Sequence, residues 1–251
     1  MKIKEEVLEL ATTTIEKGHT SFLQGIQGGA SIAIGYLPVA LTFGLLAKST
    51  GLQLSETLLM SLLVYAGASQ YISLSLIAAG TGVIEIIFTT FIVNIRHFLM
   101  SASLSEKVEE DALWKKAVYS FGLTDETFSV ASMKEGTVST AYLCGLMFIS
   151  YASWGINSGI GFVLGASLPT TVQESMGIAL YAMFIGLLIP SLKKHRKVLY
   201  LATLAAIVNS ICYATQMIST GWSIVISTLI SALVIEWIDT RLKNKEDLEN
   251  G

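Results

Sequence analysis

Residues 89–104 read TTFIVNIRHFLMSASL, and in the middle of this apolar stretch Arg96 and His97 stand side by side, just after Asn94. A guanidinium can clamp a carboxylate, and an imidazole exchanges its proton near neutral pH. At 100° per residue, Thr90, Asn94, His97 and Ser101 share one helical stripe. Glu85, Thr89, Arg96 and Ser103 lie on the opposite side. Burying an arginine near mid-membrane costs at least ~2.5–3.5 kcal/mol, which snorkelling, a polar cavity or a carboxylate would offset. A helix with two polar faces is expected to be central and lined by protein.

Two further clusters carry chemistry. Asp125 and Glu126 sit in LWKKAVYSFGLTDETFSVASM, residues 113–133. They are counter-ions for Arg96 and, if buried, proton carriers. They equally suit the first turn of a helix capped by Thr124, and both readings hold together. In VYAGASQYISLS, residues 64–75, Gly67, Ala68 and Ser69 loosen the helix, and Gln70 places an amide at membrane depth. A break there would expose N–H groups able to hold a carboxylate. In IGYLPVALTFG, Pro38 removes the bond to the Ile34 carbonyl, so a kink at Ile34-Gly35 with free acceptors is expected. Close helix packing through small residues accounts for many such glycines, and is the reading for Gly155/Gly159 and Gly161/Gly165.

The elements that position these residues follow from composition. Of 251 residues, 52% are hydrophobic and 14% charged, against roughly 25% charged in soluble domains. The mean hydropathy is +0.62. An all-α polytopic membrane bundle is the economical reading, and a net charge of -3 gives no footprint for nucleic acid. Cys144 and Cys212 lie in apolar runs without metal or redox spacing, so neither metal nor cofactor is expected.

Seven apolar segments stand out: 28–47, 57–79, 83–104, 140–168, 176–190, 198–215 and 219–237. The fourth is too long for one crossing, and Asn157-Ser158-Gly159 reads as a break. Lys193, Lys194, Arg196 and Lys197 make their connection cytoplasmic, and the basic residues of both termini place those inside as well. Even parity then calls for an eighth crossing, over residues 114–133; seven with the N-terminus outside is the alternative. The expected organisation is an amphipathic cytoplasmic arm (1–27), a transmembrane transport domain (28–237) and a cytoplasmic tail (238–251). An echo between residues 43–67 and 160–184, each followed by Ile-Val-Asn at 92–94 and 207–209, suggests an internal repeat with substrate held between its halves.

In fixed order, GYLPVALTFGLLAKSTGL, YAGASQY, NIRHFLMSASL and FGLTDETF, with Trp154 and its glycines, resemble the AzlC-type branched-chain amino acid permeases of bacteria. The resemblance implies an exporter of leucine, isoleucine, valine and azaleucine in the cytoplasmic membrane, working with a small AzlD-type membrane subunit. It does not name the substrate site. From the residues themselves, Gly35, Pro38, Tyr65, Gly67, Ser69, Gln70, Asn94 and Arg96 are expected to bind substrate. His97, Asp125 and Glu126 are expected to couple protons, and Phe43, Tyr65 and Phe98 to wall the side chain. A passive channel, a membrane subunit without transport of its own, and an intramembrane hydrolase using Ser69 and His97 remain alternatives.

Overall fold

The computed structural model describes the backbone of residues 2–164, 196–215 and 218–250, with scattered positions between 167 and 193, and side chains of residues 20–241 within those stretches. Apart from isolated positions, the apolar segment 176–190 and most of the second copy of the echo lie outside the described residues, as does Gly165. The described elements are all helical: α1 Lys2–Ser49, α2 Leu54–Leu63, α3 Gly67–Ala78, α4 Val83–Ser105, α5 Leu113–Phe121, α6 Asp125–Met133, α7 Thr140–Leu164, α8 Arg196–Thr215 and α9 Thr220–Asn250. Four stretches among them are long and apolar enough to cross a membrane: Thr20–Ser49, α4, α8 and Thr220–Arg241. α7, with 25 residues, reaches ~38 Å, long enough to cross as well. Packing divides the chain into two units, residues 1–71 with 94–177, and residues 72–93 with 178–251.

The first unit is built on α1 against α7. A Cβ on Gly25 would fall 2.1 Å from the Tyr142 carbonyl oxygen, and one on Gly44 2.0 Å from that of Ser158. From the other side, Gly145 meets the Phe22 carbonyl and Gly161 that of Leu41, each at 2.1 Å. Only glycine permits backbones this close. The contacts advance together along both chains, so α1 and α7 run parallel. Backbone helix is continuous from the N-terminal arm into the span and through Pro38, and α7 runs unbroken past Asn157-Ser158-Gly159, where a break was expected. That triplet is held helical by bonds one turn back, from the Asn157 amide to the Ser153 carbonyl (2.8 Å) and from Ser158 to that of Trp154 (2.8 Å).

The second apolar segment is two half-length helices rather than a straight crossing. α2 descends along α7, with Leu58 over Gly159 and Leu62 over Gly155. The helix breaks at residues 64–66, where Tyr65 takes φ 44°, a conformation costly for a bulky residue. α3 then climbs back: Gly67 meets Trp154, while the Tyr71 hydroxyl reaches the Val39 carbonyl (2.6 Å) and its ring meets Phe43. Gln70 donates to Ser61 across the hairpin (3.3 Å).

Residues 113–133, expected as the eighth crossing, form a second hairpin entering from the opposite side. At its base Glu109 accepts from the Thr140 amide (2.7 Å). α5 climbs until Gly122 presses on Met147. α6 starts beside Tyr36 and returns, with Lys107 on the Ser132 carbonyl and the Lys134 ammonium 3.6 Å from the Tyr142 ring centroid. The physical reason is the same in both cases: glycine and polar residues in mid-segment let the chain reverse where a continuous apolar helix would go through. Lys107, Lys115, Lys116 and Lys134 crowd this base together with the N-terminal end of α1, against Lys48 at the other end. The base is therefore the cytoplasmic side.

α4 descends past both hairpin tips. It is not the central helix expected from its polar stripes: Phe91, Ile95, Phe98 and Leu99 are exposed. The centre is α7, whose buried Gly145, Ser150, Gly155, Ser158 and Gly161 admit neighbours on several sides.

In the second unit α8 and α9 form an antiparallel pair. Lys197 bridges Glu236 (2.7 Å) and Asp239 (2.9 Å), and Ser223 donates to Asn209 (2.7 Å). Glu85 caps the start of α9 through Ser219 and the Trp222 amide, an approach open because residue 221 is glycine.

The hairpins set a testable topology. Single cysteines at Gln53 and Thr81 should react with an impermeant maleimide from the same, external side, and cysteines at Glu110 and Glu135 only from the cytoplasmic side. Opposite-side labelling at Gln53 and Thr81 would make α2–α3 a full crossing.

Candidate functional site

Both hairpin tips lie at the height of Trp154, and a polar cluster joins them. Thr124, at the second tip, caps α6 and exchanges hydrogen bonds with Thr127, whose hydroxyl also takes the Gly122 carbonyl (3.3 Å). Asp125 and Glu126 follow in the first turn, where a helix N-terminus favours negative charge. Asp125 Oδ2 accepts from Arg96 Nη1 at 2.7 Å, with both side chains partly buried (35% and 25% exposed). Glu126 Oε2 accepts from the Tyr36 hydroxyl at 2.6 Å, and Tyr36 also lies 2.7 Å from the Thr124 hydroxyl. His97 faces the Leu123 backbone between Arg96 and Glu126. Arg96 Nε is buried without a protein acceptor among the described residues, so the guanidinium keeps a donor to spare.

The first tip is built differently. Ser69 donates to Asn94 on α4, and Gln70, fully buried, accepts from Trp154 Nε1 at 3.1 Å. The Leu62 carbonyl, freed by the break, takes the Tyr151 hydroxyl at 2.7 Å. The amides of Tyr65, Ala66, Gly67, Ala68 and Ser69 meet no acceptor among the described residues; the ladder resumes with the Gln70 amide on the Ala66 carbonyl. The Tyr65 hydroxyl is likewise buried, beside the Tyr36 hydroxyl and with Tyr151 and Glu126 as electrostatic neighbours. Gly67 is half-buried and the other four residues buried; each unmatched buried donor costs about 1–3 kcal/mol, so the open start of α3 is a concentrated cost. The second tip carries none comparable, because its threonines and acids serve its own helix end.

The structure thus gathers Tyr65, Gly67, Ser69, Gln70, Asn94, Arg96, His97, Asp125 and Glu126 within the first unit. Gly35 and Pro38 stand apart: Gly35 faces outward, with nothing within 4 Å of where a Cβ would be, and the Pro38 carbonyl is taken by Thr42 (2.8 Å). Phe43 is fully buried against Trp154 and Tyr71, and Phe98 is 74% exposed, so neither walls the cluster. Tyr36 is the residue the sequence reading passed over. Its one signal was position, a hydroxyl next to Gly35 and two residues before Pro38, on the inward side of α1. At the rim, outside the membrane, the Lys115 ammonium holds the Asp111 carboxyl below the usual carboxylate range.

Fold and cluster together define a polytopic helical membrane protein with two half-helix hairpins ending at mid-depth, a plan shared by solute transporters. The AzlC protein family profile matches residues 31–168, which carry both hairpins, and the chain belongs to the AzlC family. It is 31% identical over 216 residues (83% of this chain, 87% of the relative) to the inner membrane protein YgaZ of Escherichia coli. It is 33% identical over 174 residues (68% and 76%) to an uncharacterized membrane protein of Archaeoglobus fulgidus. The branched-chain amino acid transport protein AzlC of Bacillus subtilis is 22% identical over 169 residues (66% and 66%). No solved structure matches.

Removing one partner of the ion pair strands the other at mid-depth. Arg96→Met should lower stability by about 1–3 kcal/mol, the two partners being only partly buried. Asp125→Leu combined with Arg96→Met should recover most of that loss. Additive losses in a double-mutant cycle of detergent unfolding would show the pair to be uncoupled.

Proposed function

We propose that the chain is a secondary transporter that exports branched-chain and other hydrophobic amino acids across the bacterial cytoplasmic membrane, driven by protons. The observation carrying this reading is the asymmetry of the two tips. The α6 end has its own cap and acids, whereas the α3 end presents five unmatched amides and a buried tyrosine hydroxyl. Free N–H groups at a half-helix start suit a carboxylate. Across the cluster, Glu126 and Asp125 suit an ammonium. An α-amino acid zwitterion has both groups, and Arg96 with its spare Nε is a second donor for the carboxylate.

Proton coupling follows from competition for the same acids. Protonating either acid removes charge that attracts the ammonium, and protonating Asp125 also frees Arg96, so loading and proton uptake exclude each other. His97, beside Arg96 and Glu126, can relay the proton. The name of the Bacillus relative supports the substrate class, and the family resemblance implies the small AzlD-type partner. Hydrolysis is the weaker reading: Ser69 donates to Asn94, not to His97, whereas an activated nucleophile must be bonded to its base.

The test is radiolabelled leucine movement in proteoliposomes, with and without a pH gradient and with and without the small partner. Saturable, gradient-driven movement is expected. Losing a hydrogen bond to an ionised group is worth ~1.5–3 kcal/mol, so Asp125→Asn and Glu126→Gln should each cut gradient-driven transport about tenfold or more. Wild-type coupling in both variants and in the double variant would remove protons from the mechanism, and unsaturable flux indifferent to pH would make the protein a channel.

A further inference from the structure

An apolar cavity of about 360 Å³ opens beside the second hairpin, on the cytoplasmic side of the polar cluster. Phe22 lines it near the inner end of α1, Val118 and Phe121 on α5, and Cys144, Met147 and Tyr151 on α7. Its volume sits at the lower end of the range for small-ligand sites. Its deep wall is continuous with the polar cluster: Phe121 and Tyr151 pack edge to face (6.0 Å between ring centroids), and both contact Tyr65, at 6.4 and 4.9 Å. Tyr65 itself is buried and stands at the start of the unmatched amides. The hollow therefore ends on the two rings that pack against Tyr65, next to the unmatched donors.

We propose that this cavity is the side-chain pocket of the amino acid site: it takes the branched apolar group of a substrate entering from the cytoplasm and so selects its size. The inference rests on the transport reading above. Gly122 and Met147 set the depth. A Cβ on Gly122 would lie 2.8 Å from Met147 Cβ and Sδ, so α5 and α7 meet here without room for a larger residue and the pocket ends at this contact. Val118 and Cys144 set the width.

Cys144 makes the pocket readable, since Cys212, the other cysteine, lies on α8. In full-length protein carrying Cys212→Ser, reconstituted in liposomes, modification of Cys144 by N-ethylmaleimide should be slowed severalfold by saturating L-leucine. Glycine, which has the same zwitterion and no side chain, should not protect. One methylene in an apolar pocket is worth 10–200-fold, so Cys144→Leu should raise the leucine-to-alanine KM ratio about tenfold, and Val118→Ala, at an exposed rim position, should shift preference toward phenylalanine. If leucine is transported but neither slows the modification nor changes its KM ratio in these variants, the hollow lodges lipid and the proposal falls. If leucine is not transported at all, the transport reading fails, and protection of Cys144 by bound leucine still decides the pocket.

Discussion

A backbone amide in hydrocarbon must find an acceptor, and among the described residues the first unit turns its chain back at two hairpin tips. The rest of the first unit follows from that constraint. Two half-helices entering from opposite sides need a protein-lined place to end, and the α1–α7 pair provides its wall. The seam closes because glycines on both helices remove the Cβ atoms where the two backbones come nearest. With backbones touching, α7 can present Tyr151 and Trp154 to the first tip and Met147 to the second, while α1 presents Tyr36 to the threonine and acids of α6.

The two tips solve the same problem unequally, and the difference is chemical. Thr124, Thr127 and the acids behind them make the second tip self-sufficient, and its charges are then held by Arg96 and Tyr36. At the first tip the side chains that might cap α3 are engaged elsewhere: Ser69 with Asn94, Gln70 with Trp154 and Ser61. The hairpin is held rigidly while its amides stay open. The rings of Tyr65, Phe121 and Tyr151 pack together beside these open amides.

Much of this was legible in the amino-acid order. Charged and amide side chains in segments of lipid-like composition are costly, so Asn94, Arg96, His97, Asp125 and Glu126 had to gather; the loosening expected at Gly67–Ser69 falls instead on residues 64–66, and Gly67–Ser69 form the first turn of α3, where glycine admits Trp154. What periodicity does not distinguish is a helix that crosses from one that turns back, since both have the same composition. Residues 57–79 and 113–133 read as spans because length and hydropathy count residues and carry no direction. Only the contacts with Trp154, Val39 and Phe43, and those between Lys134 and Tyr142, show the chain reversing.

The sequence by itself determined the class of environment, the helical content and the identity of the buried charges, because each follows from the transfer free energy of residue types. Tertiary structure alone decided which partner each polar group has. Asn94 accepts from Ser69, Gln70 accepts from Trp154, Gly35 faces outward, and Tyr36 becomes the link between Thr124 and Glu126. A residue's type sets the cost of leaving it unpaired. Which neighbour relieves that cost depends on where two distant helices bring their faces together, and here that was set by glycine contacts between helices more than a hundred residues apart in the chain.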